Sequence, residues 1–391
     1  LGRRYILNAV RNLALISQAQ SIGSLDFGDL PVLVLGAGPS LDMVLERLPA
    51  SPNTTERPFR IICADTCLQA LEEWNVTPDL VVALESQHWN LRDFVGLGSW
   101  KIPVAIDLSA LPATRDVLGG ECLLFATPWT ELRFFRRLKE AGLLPELIPP
   151  LGSVGLTTVA VARRLSTGPI VTSGLDFSYT LDSFHARSTP SHREKLYRQT
   201  RFKSILNGDA AFQAGTYKAV SKLGGSVRTN PSLKTYRDLF EREFAEDSRI
   251  KDIIGPGLPL GVETIGLEGA LKILQEGGAK GRPPQTDIVP GPGSEAVKAF
   301  IHQEQAMLRT LRNMMTGEIP GDPEKLETLL DEADYLWSHF PECAGTGGRR
   351  PSGKDLSFLK RVRLEIDPLI RNFDLALREA GCHLPRTKGF F

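Results

Sequence analysis

Six short apolar runs constrain this chain most: Val32–Leu35, Arg60–Ala64, Leu80–Leu84, Val104–Ile106, Cys122–Phe125 and Ile170–Thr172. Each is a nearly continuous stretch of Val, Ile and Leu, the pattern of a strand buried on both faces. Each is also flanked by helical or turn sequence, and that alternation predicts an α/β fold with a doubly wound, mainly parallel sheet. The stretch from Thr66 to Trp74 illustrates it. Leu68, Leu71 and Trp74 share a helical face there, and Asn75, Pro78 and Asp79 turn the chain into the next run.

Length and composition narrow the class further. A chain of 391 residues is too long for one small core, so at least two units are expected. Apolar residues make up 42 % and charged residues 24 %, which excludes a disordered chain. Lys plus Arg and Asp plus Glu both number 46, and this balance argues against a general nucleic-acid binder. The five cysteines form no disulfide framework, and Cys63 with Cys67 lacks the second pair of a zinc site. Buried free thiols and a reducing, cytoplasmic setting are expected, with no membrane span and no secretory leader.

Residues 1–30 open on Leu1 inside a helical pattern marked by Ile6, Val10, Leu13 and Ile16, as if they ended a truncated upstream region. Residues 31–280 form the expected nucleotide-binding domain. The Pro- and Gly-rich residues 281–293 are expected to link it to a C-terminal helical domain, residues 294–391. Three amphipathic patterns mark that bundle: Val297 to Met315, Leu326 to Phe340, and Leu359 to Phe373 with a kink expected at Pro368.

In open parallel sheets ligands bind beyond the carboxyl ends of the strands, so the residues there are the site candidates. The first run ends in Gly36-Ala37-Gly38-Pro39-Ser40, whose glycines permit a sharp turn and whose helix start offers N–H groups to a phosphate. It is not a G-x-G-x-x-G fingerprint, because Leu41 stands in the third glycine's place, and it lacks a P-loop lysine. The second run ends in Asp65-Thr66, where an acid suits ribose hydroxyls; the third ends in Glu85 and the fourth in Asp107. Gly152-Ser153 opens another helix and makes a second candidate cradle, or an ordinary Ser cap. Gly174, Asp176, Ser178, Tyr179 and Thr180 follow the sixth run, with His185 just beyond, and His185 and Asp176 are the candidate proton acceptors. Arg187, Arg193, Lys195, Arg198, Arg201 and Lys203 form a basic stretch that is either a solvated face or a lid over a phosphate.

These motifs, in this order, resemble the motility-associated factor (Maf) family of flagellin glycosyltransferases. The resemblance rests on Gly36 to Asp42, Ala64-Asp65, Pro78 to Val81, Gly152 to Val154, Gly174 to Thr180 and His185-Ala186, and runs from about Arg11 to Gly261. It implies a cytoplasmic enzyme with a Rossmann-like domain. Such an enzyme transfers a pseudaminic, legionaminic or sialic type of nonulosonic acid from a CMP-activated donor to Ser or Thr of flagellin. The central domain is similar to bacterial sialyltransferases, which places Gly36, Gly38, Pro39 and Ser40 at the nucleotide. It is also similar to 6-hydroxymethylpterin pyrophosphokinases, ATP-dependent enzymes that would use Mg²⁺ on Asp65, Glu85 and Asp107. No metal or further cofactor is required by the sugar transfer itself. A third alternative is a flagellin-binding accessory protein without turnover.

Overall fold

The computed structural model describes residues 2–48, 57–180, 183–202, 211–277, 285–286, 291–319, 322–343 and 350–380. The six apolar runs are strands: β3 (Val32–Leu35), β4 (Arg60–Ala64), β5 (Leu80–Ala83), β6 (Val104–Asp107), β7 (Cys122–Phe125) and β8 (Ile170–Ser173). Two short strands, β1 (Gln20–Ser21) and β2 (Leu25–Asp26), precede them. A hairpin, β9 (Tyr217–Val220) and β10 (Ser226–Thr229), follows, and then β11 (Ile250–Ile253) and β12 (Glu263–Ile265). Nine strands make one wholly parallel sheet in the order β1-β7-β6-β5-β4-β3-β8-β11-β12. The chain builds outward from β3 as far as β7, then returns to the other side of β3 to add β8. The order therefore reverses between β3 and β8, which is the switch point of a Rossmann-like sheet.

Period two divides the strand side chains between two layers. Leu33 and Leu35 of β3 enter one apolar cluster, and Val32 and Val34 enter the other. One face is covered by α5 (Val154–Leu165) and α7 (Pro231–Phe244). On the other face lie α1 (Gly2–Asn12), α2 (Ser40–Leu45), α3 (Leu68–Glu73), α4 (Arg133–Glu140) and α8 (Leu267–Gly277). The same cluster continues into the last three helices, α9 (Ser294–Thr316), α10 (Pro323–Glu332) and α11 (Leu356–Ala380), which contains Pro368. One more helix, α6 (Pro190–Tyr197), lies after β8.

The terminal helices are tied to the sheet domain by packing and by buried charge. Phe134 of α4 meets Phe300, Tyr335 and Phe373. Beside them Arg137 forks onto Glu304, at 2.6 and 2.9 Å, and the Tyr335 hydroxyl donates to the same carboxylate at 3.0 Å. A bidentate pair with a third donor fixes geometry as well as charge. Most of the expected linker, residues 281–290, lies outside the described residues apart from Gln285 and Thr286.

Helix α1 has a second task. Asn8 donates to the carbonyls of Ser86 and Ser109 at 3.1 Å, and Asn12 to those of Leu108 and Ala110 at 2.9 Å. Two buried amides thus hold the loops that leave β5 and β6, and they bring Tyr5 of the same helix to the carboxyl edge of the sheet.

Candidate functional site

At the switch point the loops leaving β3 and β8 are laced together. The Gly36 and Gly38 N–H groups donate to the carbonyls of Ser173 and Gly174, each at 2.8 Å. Ser40 N–H donates to Asp176 Oδ2 at 2.8 Å, and Gly174 N–H donates to Ser40 Oγ at 2.9 Å. This approach requires glycine: a Cβ on Gly36 would stand 2.5 Å from the Gly174 oxygen, and Gly174 itself has φ +74°. Two of the expected nucleotide residues stand apart from the cavities. Ser40 is 1 % exposed and, with Pro39, lies beside neither cavity described below. The start of α2 already holds the chain's own carboxylate, since Asp176 sits where a phosphate would. Asp176, 2 % exposed, braces the two loops through Oδ2, while its Oδ1 has no hydrogen-bond partner among the described residues and the residue lines the smaller cavity described below.

A cavity of about 160 Å³ lies against this brace, lined by Gly36, Gly38, Ser153, Gly155, Gly174, Ser178 and His185 among others. The start of α5 forms one wall, and it differs from α2 in being uncapped. Ser153 makes no capping bond, and the first intrahelical N–H bond, Thr157 to the Ser153 carbonyl at 3.1 Å, leaves the amides of Val154, Gly155 and Leu156 ahead of it. A twelve-residue helix with free leading amides is a seat for an anion. Burial, then Lys195 and Arg92, lowers the His185 imidazole to about 4, so it is neutral at pH 7. Its Nδ1 has no hydrogen-bond partner among the described residues.

A larger cavity of about 490 Å³ adjoins the first, sharing Thr66 and Val154 as lining residues. Tyr5, Asp65, Glu85, Gln87, Trp89, Asn90, Arg92, Asp93, Trp129 and Gly152 also line it. Its floor is a buried polar network. Asn90 Nδ2 donates to Asp65 Oδ2 at 2.7 Å and to Asp93 Oδ2 at 3.4 Å, and Thr66 N–H donates to Asp65 Oδ1 at 2.8 Å. Burial raises Asp65 to about 6 against these bonds, and burial with the Asp65 charge raises Asp93 to about 7. Tyr5 and Trp129 stack at the rim with planes 14° apart.

Of the expected site residues, Asp65, Thr66, Glu85 and Gly152 therefore meet in the larger cavity, and Gly36, Gly38, Ser153, Gly174, Asp176, Ser178 and His185 in the smaller. Tyr179 and Thr180 line neither. The Tyr179 hydroxyl accepts from Asn230, and Thr180 Oγ1 accepts from Ser183 N–H at 3.0 Å, so both hold the loop itself. Three residues of the basic stretch are ion-paired. Arg187 engages Asp42 and Glu46, Arg193 Glu73 and Arg198 Glu194, while Lys203 lies outside the described residues. Sequence reasoning missed Tyr5, Trp89, Asn90, Arg92, Asp93 and Trp129. A Trp and an Arg three residues apart just after a strand end were the only local signal.

Two of the three acids expected to hold Mg²⁺, Asp65 and Asp107, have both carboxylate oxygens engaged by protein donors. Asp107 Oδ1 accepts from Ser109 N–H at 2.8 Å, and Oδ2 from Thr127 N–H and Oγ1, both at 2.7 Å. Both oxygens of Asp65 are engaged as described. Among the described residues no group of three His, Cys, Asp or Glu side chains is arranged to hold a metal ion.

Fold and cleft together define a Rossmann-like protein with two adjoining cavities beside the switch point. Residues 4–182 match the model of a family described as 6-hydroxymethylpterin diphosphokinase MptE-like. Over 389 residues the chain is 28 % identical to an uncharacterized protein of Treponema pallidum (strain Nichols), covering 94 % of this chain and 66 % of that one. The fold matches the structure of a Maf glycosyltransferase from Magnetospirillum magneticum AMB-1 with a TM-score of 0.51 at 15 % identity, covering 97 % of this chain and 58 % of that one. The chain is thus Maf-like in fold, residues 4–182 are similar to the MptE-like family, and the chain spans about two thirds or less of the two relatives. No helix among the described residues is long and apolar enough to cross a membrane.

Proposed function

We propose that this chain is a glycosyltransferase that moves a nonulosonic acid of the pseudaminic, legionaminic or sialic type from a CMP-activated donor to Ser or Thr of flagellin. Its setting would be the cytoplasm and its role the support of flagellar assembly. The observation that carries this reading is the pair of adjoining cavities at the switch point of a Maf-like fold, one glycine-lined beneath the free amides of α5. The donor phosphate sits there, where N–H groups and the helix dipole take up charge as the glycosidic C–O bond breaks and CMP leaves with the electron pair. The anomeric carbon develops oxocarbenium character and bonds to the acceptor hydroxyl oxygen. The imidazole of His185, neutral and lining that cavity, receives the hydroxyl proton. The donor is the only small molecule the scheme requires.

A second reading is favoured by one observation, the match of residues 4–182 to the MptE-like family: pyrophosphate transfer from ATP to a pterin. The engaged oxygens of Asp65 and Asp107 weigh against the cation that this chemistry uses. Calorimetric titration of CMP and ATP, with and without Mg²⁺, separates the readings. Metal-independent CMP binding is expected for the transferase, and preference for ATP with Mg²⁺ would overturn it.

A further inference from the structure

The segment leaving β5 is a 3₁₀ turn, His88–Phe94, and its three-residue period divides it into two faces. Asn90 and Asp93 lie on the inner face, 5 % and 6 % exposed, and bond into the floor with Asp65 and Thr66. Trp89 and Arg92, also three apart, lie on the outer face, and both line the larger cavity. Trp89 is 75 % exposed there. The Arg92 backbone is fixed, its carbonyl accepting from the buried Gln69 side chain at 2.7 Å. Its guanidinium, half-exposed, keeps two long ion pairs, Nε 3.5 Å from Asp93 Oδ1 and Nη1 3.5 Å from Glu194, longer than a direct charge-assisted hydrogen bond. Among the lining residues of both cavities Arg92 is the only Lys or Arg.

The rest of that cavity suits a polyhydroxylated ring. Glu85, Gln87 and Thr66 offer hydrogen-bonding groups at its wall, and the stacked Tyr5 and Trp129 close its rim with apolar faces. Its carboxylates, Asp65, Glu85 and Asp93, oppose an anion everywhere except beside Arg92. They do not oppose sugar hydroxyls, which donate to them. A single guanidinium on a rigid backbone matches one planar anionic group by a two-pronged contact.

We propose that Trp89 and Arg92 are the sugar-reading residues of this cleft, Trp89 stacking on the ring of the transferred sugar and Arg92 pairing with a carboxylate that the ring carries. The proposal rests on the glycosyltransferase reading and assigns the choice of sugar to these two side chains. The nucleotide stays in the glycine-lined cavity, so the two subsites contribute separately to affinity.

The test titrates the chain with CMP, with CMP-N-acetylneuraminic acid and with the methyl ester of that donor, all at one ionic strength. The acid is expected to bind about tenfold tighter than the ester, the order of one charge-assisted contact. Arg92→Gln should erase that difference, and Trp89→Ala should weaken both sugar-bearing probes while leaving CMP within about twofold. Equal binding of acid and ester by the native chain would overturn the proposal. So would a loss of CMP affinity in either variant as large as the loss for the whole donor, since Trp89 would then stack on the base. Free N-acetylneuraminic acid and its ester, followed by tryptophan fluorescence, keep the outcomes apart. If the free acid is preferred over its ester while CMP does not bind, the CMP-donor reading falls and the assignment of Arg92 stands. If neither free probe binds and no CMP compound binds, both fall.

Discussion

The two halves of the cleft are built by opposite means. The glycine-lined cavity is made of backbone, with Gly36, Gly38 and Gly174 in van der Waals contact across the switch point and a helix start supplying N–H groups. The acid-and-aromatic cavity is made of side chains drawn from α1, the turn after β4, the segment and 3₁₀ turn after β5 and the loop after β7. Backbone sites tolerate little change in shape and recognise a group common to many ligands. Side-chain sites tolerate substitution and carry the specificity. The cleft thus separates holding a phosphate from choosing what is attached to it.

The largest effect expected from breaking the first half comes from Gly174→Ala. The new Cβ would meet the Gly36 carbonyl, and the residue would be held at φ +74°. Strain and overpacking together should cost about 3–5 kcal/mol, measured as denaturant midpoint or thermal midpoint. Gly266→Ala, where a Cβ would meet nothing within 4 Å, is the control and should change stability by less than about 0.5 kcal/mol.

The halves should also answer pH with opposite signs. His185 is lowered to about 4 from an ordinary 6.5, so below pH 6.5 the unfolded chain takes up the proton first. Stability is fully present above pH 6.5 and drains away towards pH 4, by on the order of 2–3 kcal/mol. His185→Leu should flatten that limb of the stability profile. Asp93 is raised to about 7 from 3.8, so its contribution is present below pH 4 and lost as pH rises through 7. The stability of Asp93→Asn relative to the native chain should therefore rise from pH 4 to pH 8. Parallel profiles for both variants would mean that the two cavities do not differ in the way described.

A smaller effect sharpens the comparison. Ser40→Ala removes the acceptor for Gly174 N–H and should cost about 1–2 kcal/mol, yet change CMP affinity by less than about twofold. A large loss of CMP affinity at unchanged stability would return Ser40 to the nucleotide site.

The six central strands were legible because each is short, apolar throughout and followed by a polar strand end. The glycine-lined cavity was legible for the same reason, its residues standing in two contiguous motifs. The role of α2 was not, because it depends on Asp176, far along the chain, reaching Ser40 N–H. The larger cavity was hidden for a related reason: Tyr5, Trp89 and Trp129 are brought together by the buried amides of Asn8 and Asn12, whose bonds join α1 to loops far away in sequence. Strands β11 and β12 escaped notice because Ile250–Ile253 and Glu263–Ile265 mix charged with apolar residues at the sheet's edge.

The most direct test of the divided cleft is amide and indole NMR of the isotopically labelled chain, adding first CMP and then CMP-N-acetylneuraminic acid. The account predicts that CMP shifts the amides of Gly155 and Gly38, while the indole signals of Trp89 and Trp129 move only when the sugar is attached. CMP that moves the Trp89 indole and leaves Gly155 unchanged would place the nucleotide in the acid-and-aromatic cavity and contradict it.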